Sequence, residues 1–311
     1  MRLQDEVWAI NCRGLCVSTP AASLQQLRIE RYHGSGWVDA SVAEFARPAD
    51  DRVTSFFIVG NYYTHSETLE MGWHAYHQLV AACAERVKLR FVIWSWPSDP
   101  VPGRRLLDAK IKLTRVDPTA YHLAALIDRL DPATPVSICG SSYGVGIAAG
   151  SVQLLGGGWL GGYQLSPRSG ATRRIRLVLL GAAIHNDGFL PGRKYDLVLA
   201  QAERTLVFVN PADRALGVYH WLFGRRSGAV AMGRSGPVGL RSLPVGTKAD
   251  LVRSDRYVGR QHGMRPYWES PVPVAWMRPY LLMQPVSTNS ARQVVGASLP
   301  SDALGATVAN R

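Results

Sequence analysis

The chain has 311 residues, 47% of them hydrophobic and 19% charged, a balance that suits a soluble globular protein with a sizeable core and argues against a disordered or fibrous one. No apolar run reaches the ~18 residues of a membrane span, and the acidic start Met1-Arg2-Leu3-Gln4-Asp5-Glu6-Val7 lacks a signal-peptide apolar region, so a cytoplasmic protein is expected. The formal charge of +12 sits mostly from Arg214 onward, but the bases are nearly all arginine, form no dense run and accompany no nucleic-acid-binding motif, so no nucleic-acid partner is expected.

Strands are predicted over Val7–Cys12, Leu27–Tyr32, Val53–Gly60, Lys88–Trp94, Val136–Cys139, Ile175–Gly181 and Thr205–Asn210, and more weakly over Asp250–Val258. The central ones are continuous apolar runs, as expected of strands covered on both faces. Cys12-x-x-x-Cys16 has no matching second pair, so no zinc site is expected, and Cys83 and Cys139 read as small buried hydrophobes. After Gly60, Thr64 with Glu67 three residues on forms a capping box. It opens a helix whose apolar positions Leu69, Trp73, Tyr76, Leu79, Val80 and Cys83 keep helical spacing. Asp117-Pro118 reads as an N-cap with proline at the first helical position, opening a helix through Leu123, Leu126 and Ile127 to Leu130. Strand and helix in alternation imply an α/β fold: a mostly parallel central sheet with helices on both faces. Gly156–Thr172 and Gly224–Gly246 read as long loops framing the site. Residues 1–283 are expected to form a single domain and 284–311 a poorly ordered, polar tail.

The chemistry centres on Val136-Ser137-Ile138-Cys139-Gly140-Ser141-Ser142-Tyr143-Gly144. Here G-x-S-x-G stands where a strand meets a small-residue helix, the context of a nucleophile elbow. A turn that tight demands no Cβ two residues before and after the serine, and it pushes the Ser142 hydroxyl out above the sheet beside a helix N-terminus. A serine hydroxyl attacks a carbonyl only when an imidazole takes its proton and a carboxylate holds that imidazole. On such a sheet the partners follow in the order Ser, Asp or Glu, His. Asp213, directly after the strand Thr205–Asn210, is the favoured acid, with an alternative or coexisting role as the N-cap of the following helix; Asp187 is the runner-up. Among eight histidines, His262 is the favoured base, because it lies after the last strand in a glycine-flanked loop. His185 lies one strand too early, and His220 sits on a helical face after Asp213. The oxyanion donors expected are the backbone N–H of Tyr143 and one from the loop after Val59, supplied by Asn61 or Tyr62, with Gly60 admitting the substrate. No metal or cofactor is expected.

These residues resemble the α/β-hydrolase superfamily. The closer resemblance is to bacterial members carrying an H-G-N or H-G-[FY]-N stretch, a later W-S-W-P-S and a serine elbow, here Gly60-Asn61, Trp94-Ser95-Trp96-Pro97-Ser98 and Gly140 to Gly144. It covers roughly residues 50–265. It implies hydrolysis of an ester, thioester or amide of a small-molecule acyl substrate through an acyl-enzyme on Ser142. Val59 departs from the pattern, standing where such proteins usually carry the histidine that shapes the oxyanion loop. A non-catalytic binding or scaffold protein on the same fold is the alternative. Trp94, Trp96, Tyr62, Tyr63 and Trp268 are candidates for an aromatic-lined pocket or for core packing. Arg256, Arg260 and Arg265 bracket His262, either lining a cleft for anionic substrates or coating the surface.

Overall fold

A computed structural model describes residues 1–15, 24–48, 51–81, 87–103, 105–165, 173–224, 226–243 and 248–286. Among the described residues nine strands form one sheet. In chain order they are β1 (Glu6–Asn11), β2 (Arg28–His33), β3 (Gly36–Ala40), β4 (Arg52–Ile58), β5 (Lys88–Ser95) and β6 (Val136–Ser141), and, after a two-stranded ribbon of β7 (Trp159–Leu160) and β8 (Tyr163–Gln164), β9 (Ile175–Leu180), β10 (Arg204–Val209) and β11 (Ala249–Arg253). The spatial order is β11-β10-β9-β6-β4-β5-β1-β2-β3. Within this sheet every pairing from β11 to β1 is parallel, and the β1–β2 and β2–β3 pairings are antiparallel. The strands β6 and β9 are buried along their whole length, which is what their unbroken apolar runs require. The architecture is α/β, as the alternation of elements predicts, and is compatible with the α/β-hydrolase fold.

The first four α-helices in chain order are α1 (Val42–Phe45), α2 (His65–Tyr76), α3 (Arg105–Arg129) and α4 (Tyr143–Leu155). The capping box that opens α2 is formed in both directions, Thr64 accepting from the Glu67 amide and Glu67 from the Thr64 amide. This helix runs on into a π-helical turn, His77–Ala81. It lies with the helix Pro271–Leu281 on one sheet face, where Arg278 Nε donates to the Leu79 carbonyl at 3.1 Å and Ser55 Oγ to that of Leu281 at 2.8 Å. Phe57 stacks on Phe91 and meets Trp268 edge-on beneath them. On the opposite face α3 and α4 cross closely. A Cβ at Gly146 or Gly150 would stand 2.8 Å from Val116 or Ala120 of α3, so the two helices approach almost to backbone contact.

Several elements differ from expectation. The helix expected to start at Asp117-Pro118 begins at Arg105 instead, and Pro118 lies inside it. Close packing on α4 holds the chain helical through a residue that forfeits one backbone hydrogen bond, and Asp117 pairs with Lys194 Nζ at 2.7 Å rather than serving as a cap. The edge strand β3 was not legible, because Gly36-Trp37-Val38-Asp39-Ala40 is half exposed and carries no apolar run. The weak segment Asp250–Val258 divides into β11 and a helical turn, Asp255–Val258. Gly224–Gly246 includes the helical turns Met232–Ser235 and Leu240–Ser242. Cys139 is buried, which pushes its thiol up to about 12. Cys16, Cys83 and residues 287–311 of the expected tail lie outside the described residues. Among the described residues no helix is long and apolar enough to cross a membrane.

Candidate functional site

One residue separates β6 from α4. Ser142 takes φ 53° and ψ −119°, a conformation that costs a side-chain-bearing residue about 1–3 kcal/mol. Its surroundings hold it there: its amide donates to the Leu180 carbonyl at 2.9 Å, and its carbonyl accepts from Val145 at 3.1 Å and Ala183 at 3.4 Å. The flanking glycines are demanded by space. A Cβ on Gly140 would lie 2.5 Å from the Gly144 oxygen, and one on Gly144 would lie 2.7 Å from the carbonyls of Ile58 and Val59. Ser142 is 8% exposed, beside a helix whose first twelve residues are all buried.

Asp213 follows β10 and caps the turn Arg214–Gly217, its Oδ1 accepting from the Leu216 amide at 2.9 Å. Its Oδ2 stands 2.8 Å from His262 Nδ1, and His262 Nε2 stands 2.8 Å from Ser142 Oγ. An ionised carboxylate only accepts, so Nδ1 donates in this pair, and in the neutral ring Nε2 is then the acceptor for the serine hydroxyl. Asp213 is fully buried, whereas the His262 side chain keeps 27% of its surface. The segment bearing His262 is tied down by Asn210 Nδ2, which donates to the Gly259 carbonyl at 2.9 Å, and by the Arg214 amide, which reaches the Arg260 carbonyl at 3.3 Å.

Asp187 is not brought to His262. It forms an ion pair with Arg193 at 3.2 Å in the loop after β9. His185 packs against Phe223 and Tyr219, with ring centroids 4.5 and 5.5 Å away, and burial lowers its basicity. His65 Nδ1 pairs with Ser95 Oγ at 2.9 Å, and His220 meets the Trp221 ring edge-on.

Gly60 to Tyr63 lie against the elbow. A Cβ on Gly60 would sit 2.9 Å from Ser142 Cβ, so only glycine lets the two segments meet. The amide of Tyr143 stands at the first position of α4, and neither it nor the Asn61 amide has an acceptor among the described residues. The Tyr62 amide, weighed as the alternative donor, is committed to the Ser98 carbonyl and to Asn61 Oδ1, both at 2.9 Å.

Sequence reasoning missed what holds this loop. Trp96 Nε1 donates to the Val59 carbonyl at 2.9 Å. Arg13 Nη2 and Ser98 Oγ donate to the Tyr63 carbonyl at 2.9 and 2.8 Å. Asn61 Nδ2 donates to Asp108 Oδ2 at 3.0 Å. Asp108 also accepts from the Val101 amide at 2.7 Å and from Lys112 Nζ at 2.5 Å, and both charged side chains are buried. Burial alone would raise the Asp108 pKa, but the hydrogen bonds from Lys112, Val101 and Asn61 outweigh it and hold the carboxyl below the usual range. The W-S-W-P-S motif was the available signal for Trp96 and Ser98; Asp108 carried none.

Of the aromatic residues weighed for a pocket, Trp94, Trp96 and Trp268 belong to the core, whereas Tyr62 is 46% exposed. Arg256, Arg260 and Arg265 are exposed along the His262 segment.

No family model matches this chain, and no curated protein matches it. Among solved structures it is similar to the product of gene lin2722 from Listeria innocua, at 10% sequence identity and a TM-score of 0.40, over 76% of this chain and 96% of that one.

Proposed function

We propose that the protein is a serine hydrolase that cleaves an ester, thioester or amide of a small-molecule acyl substrate through an acyl-enzyme on Ser142. One observation carries this reading: Asp213, His262 and Ser142 form a continuous chain of two 2.8 Å contacts ending at the elbow hydroxyl. Ser142 Oγ attacks the substrate carbonyl carbon as its proton passes to His262 Nε2. Asp213, through Nδ1, stabilises the imidazolium that results. The amides of Tyr143 and Asn61 hold the negative oxygen, a donor of this kind being worth about 3 kcal/mol of barrier. The tetrahedral species collapses, the leaving group departs with the proton from Nε2, and water repeats the sequence to free the acid and Ser142.

Labelling with a fluorophosphonate tests the reading. Wild type is expected to acquire one phosphonyl group, mapped to Ser142 by mass spectrometry, and Ser142→Ala none. An unlabelled wild type overturns the hydrolase reading in favour of a non-catalytic binding protein, and labelling that persists in Ser142→Ala overturns the assignment of the nucleophile.

A further inference from the structure

We infer that Asp108 and Lys112, a buried carboxylate–ammonium pair on α3 that receives the side chain of Asn61, position the oxyanion loop for the reaction at Ser142. The inference rests on the hydrolase reading and names what sets the geometry of its second donor.

Lys112 is fully buried and Asp108 is 2% exposed, at i and i+4 on one helix face. A buried pair of this kind is often no more stable than well-packed apolar residues of similar size, so stability alone does not account for it. The hydrogen bonds supply a reason. Asp108 Oδ1 accepts from Lys112 Nζ at 2.5 Å and from the Val101 amide at 2.7 Å, which fixes the carboxylate plane, and Oδ2 then accepts from Asn61 Nδ2 at 3.0 Å. At its other end the Asn61 side chain accepts from the Tyr62 amide at 2.9 Å. The Asn61 side chain is thus held at both ends, which fixes the residue whose own amide has no acceptor among the described residues. Positioning matters here because an oxyanion donor acts only when already aimed at the place where charge develops.

Lys112 contributes by charge as well. An unpaired carboxylate beneath the loop would repel the developing oxyanion. The ammonium cancels it within one turn of helix, standing also 5.7 Å from the centre of the Tyr62 ring. Asp108 and Lys112 are positioning residues, acting through Asn61 rather than on the substrate.

The test measures the rate of Ser142 phosphonylation by a fluorophosphonate, whose phosphoryl oxygen occupies the same site, together with melting temperature. Asp108→Asn and Asn61→Ala are each expected to slow labelling ~10–100-fold while Ser142 remains the labelled residue. The double variant is expected to be no slower than the slower single one, because one pathway is removed twice. The apolar variant Asp108→Leu with Lys112→Met is expected to melt within a few degrees of wild type yet label as slowly as Asp108→Asn, and it carries the comparison if Asp108→Asn fails to fold. Labelling within twofold of wild type in Asp108→Asn, additive losses in the double variant, or full recovery of rate in the apolar variant would each overturn the inference and leave the hydrolase reading standing. A wild type that takes no label removes both.

Discussion

The indole of Trp96 donates to the carbonyl oxygen of Val59 at 2.9 Å, joining the segment after β5 to the end of β4, next to the Gly60–Tyr63 loop. That oxygen already lies so near Gly144 that a Cβ there would stand 2.7 Å away. One carbonyl thus registers the loop against both the core and the elbow. At the position where the resemblance leads one to expect a loop-shaping histidine, a fully buried valine stands, and a tryptophan 37 residues later makes the polar contact. Trp96→Phe keeps most of the ring and removes the donor. It should cost about 1–3 kcal/mol in urea unfolding, the penalty for an unsatisfied buried carbonyl, and should slow phosphonylation of Ser142. An unchanged rate would show that the loop holds its geometry without this bond.

Gly60 makes a sharper demand. Gly60→Ala would place a methyl group 2.9 Å from Ser142 Cβ, with the Ser141 carbonyl at 3.3 Å, so one segment must shift. The shift falls on the oxyanion loop and the nucleophile together, and a loss of ~100-fold in labelling rate is expected, on the scale of a misplaced oxyanion donor. Circular dichroism should show the fold retained. A rate close to wild type would mean that the elbow and the loop do not need their present separation.

The two oxygens of Asp213 make different contacts, Oδ1 with the Leu216 amide and Oδ2 with His262 Nδ1, so the proposed catalytic role and the capping role can be tested apart. Asp213→Asn can still accept from the Leu216 amide through its carbonyl oxygen, but it cannot hold a charged imidazole. Labelling should fall by about 10⁴-fold with only a small change in melting temperature. Asp213→Ala should lose the rate equally and a further ~1 kcal/mol of stability with the cap. If both variants keep wild-type rates, Asp213 is an N-cap alone.

A pH dependence follows from Glu6, far from the site. Burial raises its pKa, but the hydrogen bond from Trp8 Nε1 at 3.1 Å and the charges of Arg90, Arg52 and Arg31 outweigh this and leave it below the usual carboxylate value. A depressed folded-state pKa contributes stability that is complete above the unfolded pKa and is lost as pH falls through the folded one. Wild type should therefore exceed Glu6→Gln by about 1–2 kcal/mol near neutrality, and the gap should narrow as pH falls below ~4. Urea midpoints of the two proteins across this range measure it; a gap independent of pH would mean that ionisation of Glu6 is not the source.

What could be read in the sequence was what local pattern encodes. The continuous runs gave β4, β5, β6, β9 and β10 to within a residue or two, and Thr64 with Glu67 marked the start of α2. Ser142 was legible because a turn without Cβ atoms leaves a spelling of its own. Asp213 and His262 were singled out by chain order and strand ends, and the structure sets all three within hydrogen-bond distance. Contacts between distant segments leave no such trace. Asn61 meets Asp108 across 47 residues and Trp96 meets Val59 across 37, and nothing near either residue in sequence announces the partner. The continuation of α3 through Pro118 was illegible for a related reason: the helix is sustained there by its neighbour α4, against local preference.

The burial of α4 has a consequence for how the site accommodates different molecules. From Tyr143 to Leu154 that helix has no exposed residue, and β6 before it is equally enclosed, so Ser142 is mounted on a closely packed, unyielding part of the protein. His262 is mounted otherwise, in a stretch where Gly259, Arg260, Gln261 and Gly263 all face solvent. Any give in the apparatus belongs to the histidine side. A bulky guest would be accommodated by adjustment between Gln261 and Gly263, past the hydrogen bonds that hold the Gly259 and Arg260 carbonyls, around a stationary serine, and a variant tuned to new guests would carry its changes there and spare the helix.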